Sequence, residues 1–470
     1  MQKIQITNFG PIKKAEVEIK QMVVFIGEQA SGKSTISKLV YFFKSLKEDF
    51  FTLIFNNLGI NEDIRILFIK EIQLKFFRFF GSTKHLSSFE IKYFYNLQKT
   101  ITLTLNPDKY LHVNFEINFY GEIGQEVSAL FNAIKSPVSV KNAYDLIAVE
   151  QSKNKYLNRL KDIVDKLFDD DKPSLFVPAG RNIAVTYSEQ FKLNFFGNLN
   201  LENEKERNRD DRNQSVDIHL MLEFLRKIEA IKEIFKNNDF DYLIGNELNF
   251  KNISEEYSFV LHKAKEIIFK ILKGKYVHDE HGEKIIFDSK KRKYVHLNNA
   301  SSGQQESIRI LQDLFLILLN KENVFRVIEE PEAHLYPLAQ KNLIELIAMV
   351  INHTESQILI TTHSPYILSV INNLIFAKSI KTLKEKYPDK ITEDMEVQEN
   401  SIIEPSKFQA YGIRNEDEWE FMSIFDSQSQ LIGENYLDEI SRVVGSEFDD
   451  MFEIYKQLKP RSRNSKLIAE

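Results

Sequence analysis

The chain opens on alternation. Gln2 to Phe9 and Ala15 to Lys20 set apolar and polar residues in turn on either side of a Gly10-Pro11 turn, the period-two pattern of paired strands with one buried face. Met22 to Ile26 is apolar without a break, as in a strand covered on both faces. After residue 35 the period changes, and Ile36, Leu39, Val40 and Phe43 recur at helical spacing. A strand, a short loop and a helix are therefore predicted near the start.

From about residue 50 to 172 phenylalanine is frequent, densest in Phe76-Phe77-Arg78-Phe79-Phe80. Such a cluster could stack bases, but core packing is the commoner use of aromatic rings and is the expectation here. Thr100 to Leu105 and Leu111 to Tyr120 flank Asn106-Pro107-Asp108 and predict a hairpin, and a helix is expected from Ala143 to Leu167, ended by Asp169-Asp170-Asp171. Ser174 to Val177 is a further buried strand, leading to Pro178-Ala179-Gly180-Arg181. Glu202 to Gln214 carries charge without period and reads as a mobile loop. Helical patterns follow around Val216 to Phe235 and Ile253 to Leu272, then a hairpin from Tyr276 to Leu297. Beyond residue 380 a smaller segment shows a hairpin around Phe421 to Leu431 and a helix near Tyr436 to Leu458. There is no internal repeat and no long heptad array, so extended coiled-coil arms are not expected.

Composition narrows the classes. The 470 residues allow about two to three domains, and 43% apolar with 28% charged residues is ordinary for a globular chain. The absence of cysteine removes disulfides, zinc ribbons, iron–sulfur ligation and thiol nucleophiles. The longest apolar run, Leu314 to Leu319, is far short of the ~20 residues that span a bilayer. No signal segment is read at the start, so a cytoplasmic protein without membrane contact is expected. With a net charge of −6, DNA would need a local basic patch. Lys290-Lys291-Arg292-Lys293 and the tail with Lys459, Arg461, Arg463 and Lys466 are the candidates, and solvated surface is the simpler reading of both.

Four motifs carry candidate chemistry. Gly27-Glu28-Gln29-Ala30-Ser31-Gly32-Lys33-Ser34, followed by Thr35, matches G-x-x-x-x-G-K-[ST] in full, a pattern that arises by chance in a chain of this length about once in a hundred. Inward backbone N–H groups and the positive end of the next helix suit phosphates. Lys33 would reach the outer phosphates and Ser34 would give a hydroxyl to magnesium, which implies ATP and Mg2+. Val324 to Glu332 is an apolar strand ending in Glu329 and Glu330, the first placed to bind metal and the second to orient or deprotonate water. Ile358 to Ile360 leads through Thr361-Thr362 to His363, one helix and one strand later, as a parallel crossover would place it at the same sheet edge. Ser301-Ser302-Gly303-Gln304-Gln305-Glu306 precedes a helical run and suits either an anion site or an N-cap. His278 and His281, with Asp279 and Glu280, are better read as turn chemistry than as metal ligands.

In this order the motifs resemble the ABC-type ATPases of the RecF, SMC and OLD group, over roughly residues 1–50 and 298–380. Gly27 to Thr35 resembles their Walker A. Ser301 to Glu306 resembles the signature, Glu329-Glu330-Pro331-Glu332-Ala333-His334-Leu335 the Walker B with D-loop, and Thr361 to Pro365 the switch. The resemblance implies an α/β P-loop NTPase head with a mixed sheet, built from 1–50, 174–185 and 298–380. A largely helical inserted lobe is then expected at 51–173 and 186–297, and a small α+β segment at 381–470. It implies catalytic roles for Glu330 and His363, metal binding by Ser34 and Glu329, and a two-fold dimer in which Ser301, Ser302, Gly303 and Gln304 of one copy complete the other's nucleotide site. Arg181 is placed near the nucleotide. Glu329 stands where Asp is commoner, Tyr336 where a second histidine is frequent, and Arg326 interrupts the acidic strand. No acidic nuclease cluster is read after residue 380, since Asp449-Asp450 falls in the expected helix. The layout is most similar to standalone ATPase subunits of bacterial anti-phage systems of the PtuA and AriA types, which work with a separate effector nuclease or toxin protein. A RecF-like DNA-maintenance role and a non-hydrolysing scaffold remain the alternatives.

Overall fold

The opening alternation forms an antiparallel pair, β1 (Gln2–Phe9) and β2 (Ile12–Ile19), with Gln2 opposite Ile19 and Phe9 opposite Ile12. Ile4, Ile6, Ala15 and Val17 turn inward, and the polar residues between them face out. The unbroken apolar run is β3 (Met22–Ile26), buried at all five positions because both faces are covered. In this computed structural model the described residues are 1–28, 31–57, 63–83, 85–86, 88–117, 143–182, 216–288, 290, 293–387, 396–415, 419–433 and 436–458. The charged loop 202–214, the tail from Lys459 and two members of the basic tetrad, Lys291 and Arg292, lie outside them.

Four more strands continue the first half of the chain: β4 (Phe89–Phe94), β5 (Thr100–Leu105), β6 (Leu111–Phe115) and β7 (Ser174–Val177). β8 (Lys275–Asp279), β9 (Gly282–Asp288) and β10 (Lys293–His296) form a separate three-stranded sheet. The second half adds β11 (Phe325–Glu329), β12 (Gln357–Thr362), β13 (Phe408–Asn415) and β14 (Trp419–Ser423). The main sheet has eleven strands in the order β6-β5-β4-β1-β2-β14-β13-β3-β12-β11-β7. It is mixed, as expected. β13, β3, β12, β11 and β7 run parallel, whereas β2, β1, β4, β5 and β6 run antiparallel.

That order redraws two expected boundaries. β4 to β6 extend the head sheet rather than belonging to a helical lobe, and β13 pairs with β3 in mid-sheet rather than standing in a terminal segment. The physical reason is coverage: without β13 and β14, the buried β3 and β2 would each be left with an unpaired edge. The expected hairpin at 276–297 gains a third strand, and its turn is Glu280 and His281, with His278 just before it in β8.

Among the described residues, the helices preceding β11 are α1 (Lys33–Lys44), α2 (Leu46–Asn56), α3 (Ile64–Phe80), α4 (Ala143–Phe168), α5 (Val216–Phe235), α6 (Phe240–Asn249), α7 (Glu255–Leu272) and α8 (Ser302–Asn320). They are followed by α9 (Pro337–His353), α10 (Pro365–Lys386) and α11 (Tyr436–Leu458). The short α6 was not anticipated; Asp239 caps it by accepting from the Tyr242 N–H. One face of the sheet, through Met22, Val24 and Ile26, packs on Leu- and Ile-rich α5 to α10. The other, through Val23 and Phe25, packs on α1 to α4, where Phe42, Phe43, Phe50, Phe68 and Phe76 fill the interior. The aromatic cluster is thus core, as expected: Phe76 and Phe79 are buried and Phe77 alone is 40% exposed.

Candidate functional site

The parallel strands end together, and the loops that follow β3, β11, β12 and β7 meet at one edge, the edge where open α/β sheets bind ligands. There an open cleft is lined by Ser31, Gly32, Lys33, Ser34, Thr35, Glu329, Glu330 and His363, joined by Pro11, Ala179 and Thr361. Gln29 and Ala30, at the tip of the expected phosphate loop, lie outside the described residues. Gly27 and Glu28 place their carbonyls at the lysine: Lys33 Nζ donates to both at 2.6 Å and stands 3.4 Å from Ser31 Oγ. Burial pushes the Lys33 amine down to about 8, against the pull of Glu330, Glu28 and Glu332. Gly32 ends the loop at φ 90, and a Cβ there would lie 3.3 Å from Pro11 and Ile12, so the turn into α1 suits glycine on both counts.

The two acids part company at the end of β11. Glu329 turns toward α1: its Oε1 accepts from Ser34 Oγ at 2.5 Å and its Oε2 from the Ala179 N–H at 3.3 Å. A hydroxyl and a carboxylate side by side are hard oxygen donors of the kind magnesium takes, so these residues fit that ion. Glu330 leaves the strand with φ 42, a left-handed conformation that non-glycine residues adopt at a strain of about 1–3 kcal/mol. Its N–H still donates to Thr361 O at 2.9 Å, while its carboxylate reaches His363 Nε2 at 3.3 Å. The hydrogen bond with His363 is the main reason the Glu330 carboxyl is held below its usual range.

Glu332 holds the end of β12. Its Oε1 accepts from Thr362 Oγ1 at 2.5 Å and from the His363 N–H at 3.0 Å, so the histidine backbone is fixed beside the acidic loop. No individual role is expected from sequence for Glu332, Thr361, Ala179 or Pro11; each matters through a neighbour brought close by the sheet. Arg181, expected near the nucleotide, is fully buried beside the cleft rather than in its lining. Its guanidinium donates to the main-chain carbonyls of Pro178, Glu329 and Glu330, the last two of which line the cleft.

Ser301 to Gln304 stand apart from the cleft lining. Ser301 caps α8 in a capping box with Gln304, so the N-cap reading of this motif is realised, while Ser302 is exposed in the first turn. Gly303 is buried against the loop after β11, where an added Cβ would meet His334 O at 2.6 Å. The other metal candidates are quiet: among the described residues no cluster of three or more His, Asp or Glu is arranged to hold an ion. No described helix is long and apolar enough to cross a membrane.

The model of the AAA ATPase domain family matches residues 1–368, and the chain belongs to that family. The family supports ATP binding and hydrolysis by this chain. Among solved structures the chain is similar to an SmcHead bound to the C-winged helix domain of ScpA, at 12% identity over 91% of this chain and 98% of that one, with a TM-score of 0.39. It is also similar to the SMC head domain from Thermotoga maritima, at 12% identity over 90% and 98%, with a TM-score of 0.36. A third is the Smc head domain with an extended coiled coil bound to the C-terminal domain of ScpA derived from Pyrococcus furiosus, at 14% identity over 95% and 99%, with a TM-score of 0.36. At TM-scores below 0.5 these likenesses carry no functional weight. No curated protein matches the chain.

Proposed function

We propose that the protein binds and hydrolyses ATP in this cleft and that two copies assemble around two nucleotides. The observation that carries the reading is the division of labour at the end of β11, where Glu329 is committed to Ser34 and Glu330 is free to face His363. In this reading Lys33 exchanges its loop carbonyls for phosphate oxygens, and Ser34 and Glu329 hold magnesium, which when bound neutralises the phosphate charge. Glu330 orients and deprotonates the attacking water, and its low pKa keeps it ionised for that task at neutral pH. His363 senses the γ-phosphate from the other side. Ser301, Ser302, Gly303 and Gln304 lie outside their own cleft, so they serve the nucleotide held by the second copy, and two-fold symmetry completes both sites.

The biological reading follows from the resemblance set out above. The protein acts as an ATP-driven sensor or regulator in the cytoplasm, with a separately encoded effector nuclease or toxin, in the manner of anti-phage ATPase subunits. Glu330→Gln tests the chemistry. ATP binding and nucleotide-dependent dimerisation should persist by gel filtration with magnesium, while turnover falls about 100-fold or more. Equal phosphate release by both proteins would leave a scaffold that uses ATP as glue. The same variant, tagged and recovered from its host after nuclease treatment, should hold a stoichiometric effector. Recovery of DNA and repair proteins alone from untreated samples would favour the RecF-like alternative.

A further inference from the structure

Arg181 is not in the cleft lining, yet its side chain bonds the backbone of both members of the acidic pair. Its side chain is 0% exposed. One terminal nitrogen, Nη1, donates to Pro178 O at 2.8 Å and Glu329 O at 2.6 Å, and Nη2 donates to Glu330 O at 3.0 Å. Nε lies 3.4 Å from a Glu306 carboxylate oxygen and donates to Glu306 O at 3.4 Å, while the Arg181 N–H donates to the same carboxylate at 3.1 Å. Glu306 belongs to α8 and is itself buried.

We infer that Arg181 is a positioning residue: it fixes the backbone from which the Glu330 carboxylate is aimed and ties that backbone to α8, the helix that begins with Ser302 and Gly303. Three features make the device specific. Two of the carbonyls it gathers belong to the last residue of β11 and to Glu330, whose backbone is left-handed, so the strained turn is held by donors aimed from inside the protein. A planar guanidinium can serve several carbonyls and a carboxylate at once, which an ammonium cannot do in a fixed plane. A second contact acts in parallel, because Gly303 presses on His334 O in the same loop. A shift at the start of α8 is therefore delivered to Glu330 through Glu306 and Arg181, and to the loop beyond through Gly303.

The inference rests on the proposed reading and deepens it. If α8 of one copy touches the nucleotide of the other, Arg181 links the state of the partner's site to the aim of Glu330 in its own. The test uses the full chain carrying Arg181→Lys, which keeps a positive charge opposite Glu306 but loses the fork. The kcat for ATP should fall about 100-fold, as misplacement of a reacting group does. The dissociation constant of a fluorescent ATP analogue with magnesium should stay within about threefold, a split that a general loss of folding would not give. Glu306→Gln is the milder partner: it preserves an acceptor for the Arg181 N–H and should lower kcat about tenfold with binding unchanged. It also keeps the inference testable if the lysine variant does not fold. Unchanged kcat in the folded variants overturns the inference, as does a loss of binding that matches the loss of kcat. A wild-type protein that binds no ATP analogue overturns the functional reading, and the inference with it.

Discussion

The two faces of the sheet are packed by different chemistry. Over α5 to α10 the core is leucine and isoleucine, and its buried charges are arginines: Arg181 with Glu306, Arg309 with Glu283 at 2.6 Å, and Arg326 with Asp313 at 2.7 Å. Over α1 to α4 the core is phenylalanine, and its buried charges are lysines: Lys44 and Lys47 share Asp170 at 2.7 and 3.5 Å, and Lys75 meets Asp49 at 2.5 Å. The arginines all involve α8 or the strand beside it, where backbone direction decides how Glu330 is aimed. Lys44 and Lys47 join the end of α1 and the start of α2 to the segment entering β7, and Lys75 joins α3 to α2; there a point charge between packed rings is enough. Geometry is guarded on one face and connection on the other.

The sharpest way to break that contrast is Asp170→Ala. Asp170 and Lys44 are both fully buried at their side chains, so the substitution leaves two lysines in the aromatic core without a counterion. A loss of about 3–5 kcal/mol in urea unfolding is expected, because an orphaned buried charge is far worse than a missing pair. Lys44→Met combined with Asp170→Leu removes one of the two orphaned charges, leaving Lys47 on its two main-chain acceptors, and should recover part of that loss. A near-neutral Asp170→Ala would mean that water reaches the site and that the lysine face is not a closed core.

Arg326→Lys probes the other face with a smaller effect. Arg326 is bidentate to Asp313, through Nε at 2.7 Å and Nη2 at 3.3 Å, and its Nη1 also serves Pro173 O and Phe325 O at 3.2 Å. Lysine retains the charge but cannot fill those positions together, and about 1–3 kcal/mol of stability should be lost. Full tolerance would show that charge alone is needed on both faces.

The contrast also explains what the sequence could and could not tell. The phosphate loop, the acidic strand and the histidine strand were legible because each is a local pattern of apolar run followed by chemistry. Their meeting at one edge followed from the parallel crossover rule. Arg326 looked like an interruption of its strand, and only the spatial neighbour Asp313 shows it to be a satisfied buried pair. Arg181 is expected near the nucleotide, but nothing local to Pro178-Ala179-Gly180-Arg181 indicates that its side chain is buried against the carbonyls of Glu329 and Glu330. The place of β13 in mid-sheet was equally hidden: strand order is a property of pairing, and Phe408 to Asn415 carries no mark naming β3 as its partner.

The smallest expected effect separates the faces by pH. Arginine keeps its proton throughout the accessible range, whereas Lys44 is pushed down to about 8, first by burial and further by the positive charges of Lys47 and Lys172, despite the pull of Asp170. The triad carries two lysines and one aspartate, so one positive charge is in surplus. In the unfolded chain the same lysine titrates near 10.4. Between pH 8 and about 10.4 the unfolded state therefore binds more protons than the native one, and this group makes stability rise with pH across that window. Below pH 8 both states hold the proton and the contribution is flat. Comparing urea unfolding of wild type and Lys44→Met from pH 7.5 to 10 isolates the term: the wild type should gain on the variant as pH rises. Lys47 remains at Asp170 with its Nζ also donating to Asp170 O and Lys172 O at 2.9 and 2.7 Å, so the carboxylate keeps a partner when Lys44 is discharged. If the wild type instead falls behind the variant, Lys44 is the essential counterion and Lys47 the surplus one.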